Sequence, residues 1–322
     1  MSAAPLRVAV IGVGHLGRHH ARILADMPGV RLAGVLDLNL PRAQEIAAAC
    51  RTEVRTDAAA LPGAIDAVTI AVPTEAHVEV ALPLVEAGVP VLVEKPLART
   101  LAEADRLVDA AARRGVLVAV GHTERFNPAV VAARAHLRSP RFVEVHRLGT
   151  FPERSLDIDV VFDLMIHDLD IMLSAVESPV TGIDAVGVPV LTPKIDIANV
   201  RLRFASGCIA NLTASRISRD RVRKIRFFQT DSYVSIDYAT QDLEVWRLVR
   251  AETGPPAIEG GKQPVVSGEP LRAELADFVE AVRTGRPPGV TAAQGREALA
   301  LAQQITEQMT VAGAAPVEPR IT

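Results

Sequence analysis

Two pairs of side chains in this sequence have the types and spacing for proton transfer. The first is Glu94-Lys95, which with Pro96 ends the apolar run Val91-Leu92-Val93. A buried strand ending this way puts a lysine at the carboxyl edge of a sheet, where burial lowers an amine's pKa toward useful values. The alternative is a lysine whose stem lies on the protein while its head reaches water. The second pair is Asp163 and His167 in FDLMIHDLD. At i and i+4 they share a helix face that Asp170 and Ser174 continue, opposite Val161, Leu164, Ile171 and Met172. A carboxylate one turn from an imidazole can set its tautomer and stabilise the imidazolium, as a general base requires. The alternative is the solvated face of an amphipathic helix, although this stripe lacks Lys, Arg and Glu. A third group is GHTERFNP, residues 121–128. Arg125 could clamp a carboxylate or phosphate with two parallel hydrogen bonds. Asn127 could bond a sugar hydroxyl or cap the helix that Pro128 begins. His19, His20, His136 and His146 read as surface or packing residues.

The elements that position these groups begin at LRVAVIGVGHLGRHHARIL, residues 6–24. An apolar strand, Val8 to Ile11, runs into Gly12, Gly14 and Gly17 in the spacing G-x-G-x-x-G, and a helical pattern follows. The first glycine permits a tight turn, the second lets backbone approach a pyrophosphate, and the third lets helix pack on strand. The helix start favours the phosphates. A second strand ends at Asp37, twenty positions after Gly17, where a carboxylate accepts hydrogen bonds from an adenosine ribose. The expected cofactor is NAD rather than NADP, because Asp37 would repel a 2′-phosphate and Leu38-Asn39 follow it in place of an arginine.

Strands at Val8–Ile11, Leu32–Leu36, Ala67–Ala71, Val89–Val93 and Leu117–Val120, with a weaker one near Val54, alternate with helical segments. One starts after Thr74, and another runs from the capping box Thr100/Glu103 to Gly115. This alternation predicts a doubly wound parallel sheet over residues 1–121. After Gly121 the pattern changes. A helix at 160–176 follows a strand at Phe142–Leu148. Then come strands at Ala185–Val190, Ile197–Phe204, Cys208–Ile217, Lys224–Gln229, Tyr233–Tyr238 and Leu243–Val249, with no helices between. Residues 122–322 therefore read as an α+β domain with a large, mostly antiparallel open sheet. Gly- and Pro-rich Ala251 to Gly268 reads as a surface loop. Two helices close the chain, one ending at Gly285 and one starting at the capping box Thr291/Gln294. The last of them is the candidate to return to the first domain.

Composition narrows the function classes. The chain has 322 residues, about two domains' worth, with 35 basic and 38 acidic residues for a net charge of −3 and 3% aromatics. That balance offers no electrostatic or stacking case for nucleic acid. Two cysteines, Cys50 and Cys208, make neither a disulfide framework nor a zinc set, so no metal is expected. No apolar run approaches the ~18 residues of a membrane span. Residues 1–5 lead directly into the first strand, which leaves no room for a signal peptide and favours the cytoplasm.

Taken together, GVGHLG, Asp37, VPTEAH at 72–77, Glu94-Lys95-Pro96 and the D-x-x-x-H pair Asp163/His167 carry a resemblance that covers essentially the whole chain. The sequence resembles the glucose–fructose oxidoreductase, inositol dehydrogenase and rhizopine-catabolism oxidoreductase family. That resemblance implies an NAD(P)-dependent oxidoreductase of two domains. It implies a cofactor site drawn from Gly12, Gly14, His15, Leu16, Gly17 and Asp37, continued by Pro73, Thr74, His77, Glu94 and Lys95. Lys95 and His167, the latter oriented by Asp163, would flank a substrate hydroxyl near the nicotinamide, and Arg125 and Asn127 would lie on the substrate side. The open sheet would join subunits into a homodimer or homotetramer. GHTERFNP, EVHRLGTFPERS and FDLMIHDLDI resemble the branch that oxidises position 3 of a nucleotide-linked N-acetylglucosamine. Oxidation of a free sugar or inositol is the alternative substrate reading, and a cofactor-binding regulator without turnover is the alternative of another class. The Lys95-Pro96 bond is a candidate cis peptide.

Overall fold

The computed structural model describes residues 4–151, 158–250 and 255–312. The chain forms two compact units. One joins the residues up to Phe126 with Gly268–Leu299, and the other joins Asn127–Ser267 with the chain from Ala300 onward.

The first unit is built on β1 (Leu6–Ile11), β2 (Val30–Leu36), β3 (Ala67–Ile70), β4 (Val91–Glu94) and β5 (Val118–Gly121). They pair in parallel in the order β2-β1-β3-β4-β5. Their apolar runs are buried throughout, as strands covered on both faces require. The connecting helices are α1 (Gly17–Ala25), α2 (Leu40–Cys50), α3 (His77–Glu86) and α4 (Leu101–Arg114). Thr100 Oγ1 accepts the Glu103 N–H at 3.2 Å, and Gly115 stops α4 in the left-handed conformation, φ 63°. One expectation changes here. Val54 makes an isolated bridge to Val35 and no strand, since it is a lone apolar residue between charged neighbours. The helix expected after Thr74 is there, with a 3₁₀ turn, Thr74–Ala76, ahead of the α-helix that begins at His77.

The second unit opens with α5 (Pro128–Ala133) and β6 (Phe142–Leu148), followed by α6 (Ile166–Val176). The remaining strands are β7 (Val180–Val188), β8 (Ile197–Phe204), β9 (Ile209–Ser215), β10 (Val222–Phe228), β11 (Ser232–Asp237), β12 (Asp242–Val249) and β13 (Ala257–Gln263). The sheet order is β13-β12-β11-β10-β6-β9-β8-β7. Only β6 and β9 run parallel; the other neighbours are antiparallel. Alternate residues Ala198, Val200, Leu202 and Phe204 are buried, so one sheet face forms a core.

Within the stretch read as a loop, Ala257–Gln263 is an edge strand on β12, and residues 251–254 lie outside the described ones. Its side chains are mostly exposed, so it carries no alternation to read. Its glycines serve proximity instead: a Cβ on Gly260 would come within 2.0 Å of the Val245 carbonyl oxygen.

α7 (Pro270–Thr284) and α8 (Ala292–Ala312) complete the chain. Leu275, Phe278 and Val279 of α7 join Val8, Val10 and Leu24 in the first unit's core. The sequence division at 121/122 anticipates such a return only for the last helix; α7 makes it as well. Thr291 and Gln294 cap α8 reciprocally, at 3.0 and 3.3 Å. No helix among the described residues is long and apolar enough to cross a membrane.

Candidate active site and cofactor cradle

The order of the first sheet reverses between β1 and β3, so the crevice for a ligand lies at the carboxyl ends of those strands. Gly12 follows β1 with φ 82°, and a Cβ there would come 2.6 Å from the Ala71 carbonyl oxygen. A Cβ on Gly17 would come 1.8 Å from the Gly12 carbonyl oxygen, so both positions require glycine. Gly14 differs, because nothing lies within 4 Å of its would-be Cβ. His15 and Leu16 beside it are exposed, and the first turn of α1 carries no acid. Open space at a glycine before a helix start that carries Arg18 and no acid fits a pyrophosphate. Asp37 is half-buried. Its Oδ2 accepts the Val13 N–H at 2.8 Å and its Oδ1 accepts the Asn39 N–H at 2.8 Å, so it also shapes the turn it faces. Arg42, which no sequence motif marks, donates from Nε to the Val13 carbonyl at 3.2 Å.

After β3 come Pro73, exposed, and Thr74, half-buried. The buried His77 ring reaches from this turn to the next: Nε2 lies 2.9 Å from the Val72 carbonyl oxygen and Nδ1 lies 2.9 Å from that of Pro96. Burial pulls its pKa below the ordinary histidine value, against the opposing pull of the two carbonyls. The Lys95-Pro96 bond is cis, and Lys95 is half-buried.

Glu94 is turned inward. Its Oε1 accepts a hydrogen bond from His20 Nε2 at 3.0 Å, and its Oε2 accepts the Lys95 N–H at 3.3 Å. Burial alone would push the carboxyl up, but His20 and Lys95 hold it below the usual carboxylate range. Gly121 makes room, because a Cβ there would meet the Glu94 carboxyl at 2.9 Å. His20 is therefore more than a packing residue. Its position is a usable signal, since Gly17, His20, Ala21 and Leu24 form one buried stripe on α1. A histidine on such a stripe needs a polar partner.

In the second unit, Val161–Met165 form a π-helical segment that leads into α6. Asp163 lies in that segment and His167 in the first turn of α6, so the α-helical register between them is not unbroken. Both are half-buried, and Asp168 and Asp170 are fully buried, so this is no solvated stripe. Asp168 receives a paired hydrogen bond from buried Arg147 of β6, at 2.5 Å from Nε and 3.0 Å from the second nitrogen. The Arg147 guanidinium also sits 5.0 Å from the Tyr238 ring centroid. The turn bearing His167 is thus pinned to the sheet. Asn127 caps α5, accepting the Ala129 N–H at 3.1 Å and donating to the Tyr238 carbonyl at 3.0 Å. Arg125 is buried in the 3₁₀ turn Thr123–Phe126 of the first unit.

Comparisons with known proteins find relatives of the whole chain. Residues 6–122 match a family model described as an oxidoreductase family with an NAD-binding Rossmann fold, and residues 129–234 match the GFO/IDH/MocA C-terminal domain. The chain is 40% identical to UDP-N-acetylglucosamine 3-dehydrogenase of Acidithiobacillus ferrooxidans, over 93% of this chain and 96% of that enzyme. A crystal structure of that dehydrogenase superposes with a TM-score of 0.90, covering 96% of this chain and 99% of that one at 38% identity. Inositol 2-dehydrogenase 2 of Saccharopolyspora erythraea is 29% identical over 97% of this chain and 96% of its own. The glycine turn, the acidic residue after β2 and the paired domain matches place this chain in the GFO/IDH/MocA family of NAD-binding oxidoreductases.

Proposed function

We propose that this protein is an NAD-dependent dehydrogenase that oxidises the 3-hydroxyl of UDP-N-acetylglucosamine to a ketone. The observation that carries the reading is the full-length likeness to the Acidithiobacillus ferrooxidans enzyme, 40% identical over 93% of the chain. The inositol dehydrogenase likeness, at 29%, supports the alternative substrate less.

The bound nicotinamide supplies a hydride acceptor for the carbinol carbon. Gly12, Gly14 and Gly17 hold the pyrophosphate backbone, with His15, Leu16, Pro73, Thr74 and His77 lining the cradle. Asp37 takes the ribose hydroxyls and favours NAD over NADP. His167, set by Asp163, accepts the proton of the reacting hydroxyl, and Lys95 hydrogen-bonds the same oxygen and stabilises its developing negative charge. The hydrogen on the carbinol carbon would leave as hydride with the C–H electron pair, the O–H proton would pass to His167, and the O–H electron pair would form the second carbon–oxygen bond of the ketone. Arg125 completes the reading as a substrate-side residue, whereas the Asn127 amide is engaged by the α5 cap and the Tyr238 carbonyl. We further propose that the outer face of the second unit's sheet joins copies of the chain.

The test is nicotinamide reduction followed at 340 nm, with NAD or NADP, against UDP-N-acetylglucosamine, UDP-glucose, free N-acetylglucosamine, glucose and myo-inositol. The expected result is reduction of NAD with the first of these. A higher kcat/KM with a free sugar or inositol would replace the substrate reading, and higher kcat/KM with NADP would overturn the role given to Asp37. No reduction with any of them would favour a regulator that binds the cofactor without turnover.

A further inference from the structure

The first unit buries a hydrogen-bonded pair, His20 and Glu94, whose carboxyl is turned inward. His20 is fully buried on α1, Glu94 is 5% exposed at the end of β4, and 74 residues separate them. A carboxylate only accepts, so His20 Nε2 carries the proton in the 3.0 Å bond to Oε1. The second carboxylate oxygen holds the Lys95 N–H at 3.3 Å, and the side chain lies against Gly121, where any Cβ would collide with it. Three elements thus converge on one carboxylate: the helix that starts at the glycine turn, the strand that ends in the lysine, and the neighbouring strand β5.

Stability alone gives this pair little reason to exist, because apolar residues of the same shape can replace both partners of a buried hydrogen bond at little or no loss. Its geometric effect is specific. Without the imidazole, Oε1 loses its donor, and the carboxyl must take up a proton, which weakens Oε2 as an acceptor, or turn toward another donor; either change loosens its hold on the Lys95 backbone N–H. We propose that His20 is a positioning residue for the reaction, acting through Glu94 to hold the backbone of Lys95 and so the place of its amine. The inference rests on the role given above to Lys95 at the substrate hydroxyl. It assigns a task to a histidine outside the group that meets cofactor or substrate.

The experiment compares His20→Leu, which removes the donor, with His20→Gln, whose amide nitrogen can take the place of Nε2. His20→Asn, too short to reach Oε1, replaces the leucine variant if that does not fold. Each is measured as kcat and KM per folded molecule. Lys95 is also observed directly by NMR of ¹³C-methylated protein, its resonance assigned with Lys95→Arg; the chain has only four lysines. The expected result is a kcat about 10–100-fold lower in His20→Leu, the range a misplacement of about 1 Å produces. KM for NAD should stay within about threefold, the Lys95 resonance should move, and His20→Gln should restore both kcat and the resonance. Unchanged kcat in His20→Leu, or a lower kcat without movement of the Lys95 resonance, would overturn the inference. A merely structural histidine would lower the thermal midpoint in both variants and leave kcat alone. If the wild-type protein oxidises no sugar, the dehydrogenase reading falls by itself. The Lys95 resonance then decides: moved in leucine and restored in glutamine supports the inference, and unmoved overturns it.

Discussion

At the scale of single residues, the proposed chemistry divides between an amine and an imidazole, and their separate losses test it. His167→Ala should lower kcat about 10²–10⁴-fold, the usual worth of a positioned acid–base group. NAD affinity should persist, because the glycine turn belongs to the other unit. Asp163→Asn should cost less, since it disturbs tautomer and orientation without deleting the base. Lys95→Ala should also reduce kcat strongly, and the Lys95/His167 double variant should lose less than the sum if both act on one hydroxyl. Turnover, cofactor affinity and thermal midpoint of these variants check the assignment. Near-wild-type kcat in His167→Ala would remove the histidine from the reaction.

At the scale of elements, the approach to the π segment is held by a buried network around Asp196. Its Oδ2 accepts the N–H groups of Val190, Leu191 and Thr192 at 2.8, 2.7 and 2.9 Å, while Arg216 Nε donates to Oδ1 at 2.8 Å. Arg216 reaches on to the Ile158 carbonyl at 2.7 Å, and Asp159 accepts the Ile195 N–H at 2.8 Å, which ties residues 158–160 to the foot of β8. Burial would raise the Asp196 carboxyl, but the three N–H groups and Arg216 hold it far below the ordinary carboxylate range. A depressed native pKa means the unfolded chain binds this proton more tightly. The contribution is therefore full above the unfolded value, about pH 4, and is lost as pH falls toward the native one. Asp196→Ala should destabilise the protein by about 3–5 kcal/mol, because Arg216 would remain buried without its counter-charge. Urea unfolding between pH 3 and 7 measures both effects. The variant should lose less stability than the wild type as pH drops from 5 to 3, and parallel losses would refute the account.

At the scale of the whole molecule, the second unit's sheet has one face in its own core and apolar groups on the other. Val186 and Val188 of β7, Phe228 of β10 and Trp246 of β12 are exposed, and Phe228 stacks between Phe142 and Tyr233 with centroids 5.6 and 5.0 Å away. Apolar groups spread along a sheet face favour a second copy as cover. Sedimentation at micromolar concentration should show a dimer or tetramer, and Phe228→Glu with Trp246→Glu should shift it toward monomer. A wild-type chain that sediments only as monomer would contradict the proposed interface.

What the sequence by itself determined is what neighbours in the chain decide. Gly17 is demanded by the Gly12 carbonyl five residues before it, and the turn itself puts Gly12 at φ 82°. Thr291 and Gln294 cap their helix over three residues, and Phe142–Leu148 and Ile197–Phe204 announce themselves by alternation with their bounds intact. The tertiary structure decided which surfaces meet. The apolar stripe of α7 reads the same whichever sheet covers it, and only the assembled core shows it beside β1. β13 has no stripe to read and exists because β12 offers it an edge. His20 finds Glu94 across 74 residues, and Arg147 finds Asp168 across 21. Periodicity and caps act over a turn or two of chain, whereas a buried charge is satisfied by whatever partner packing brings to it, and that partner has no local signature.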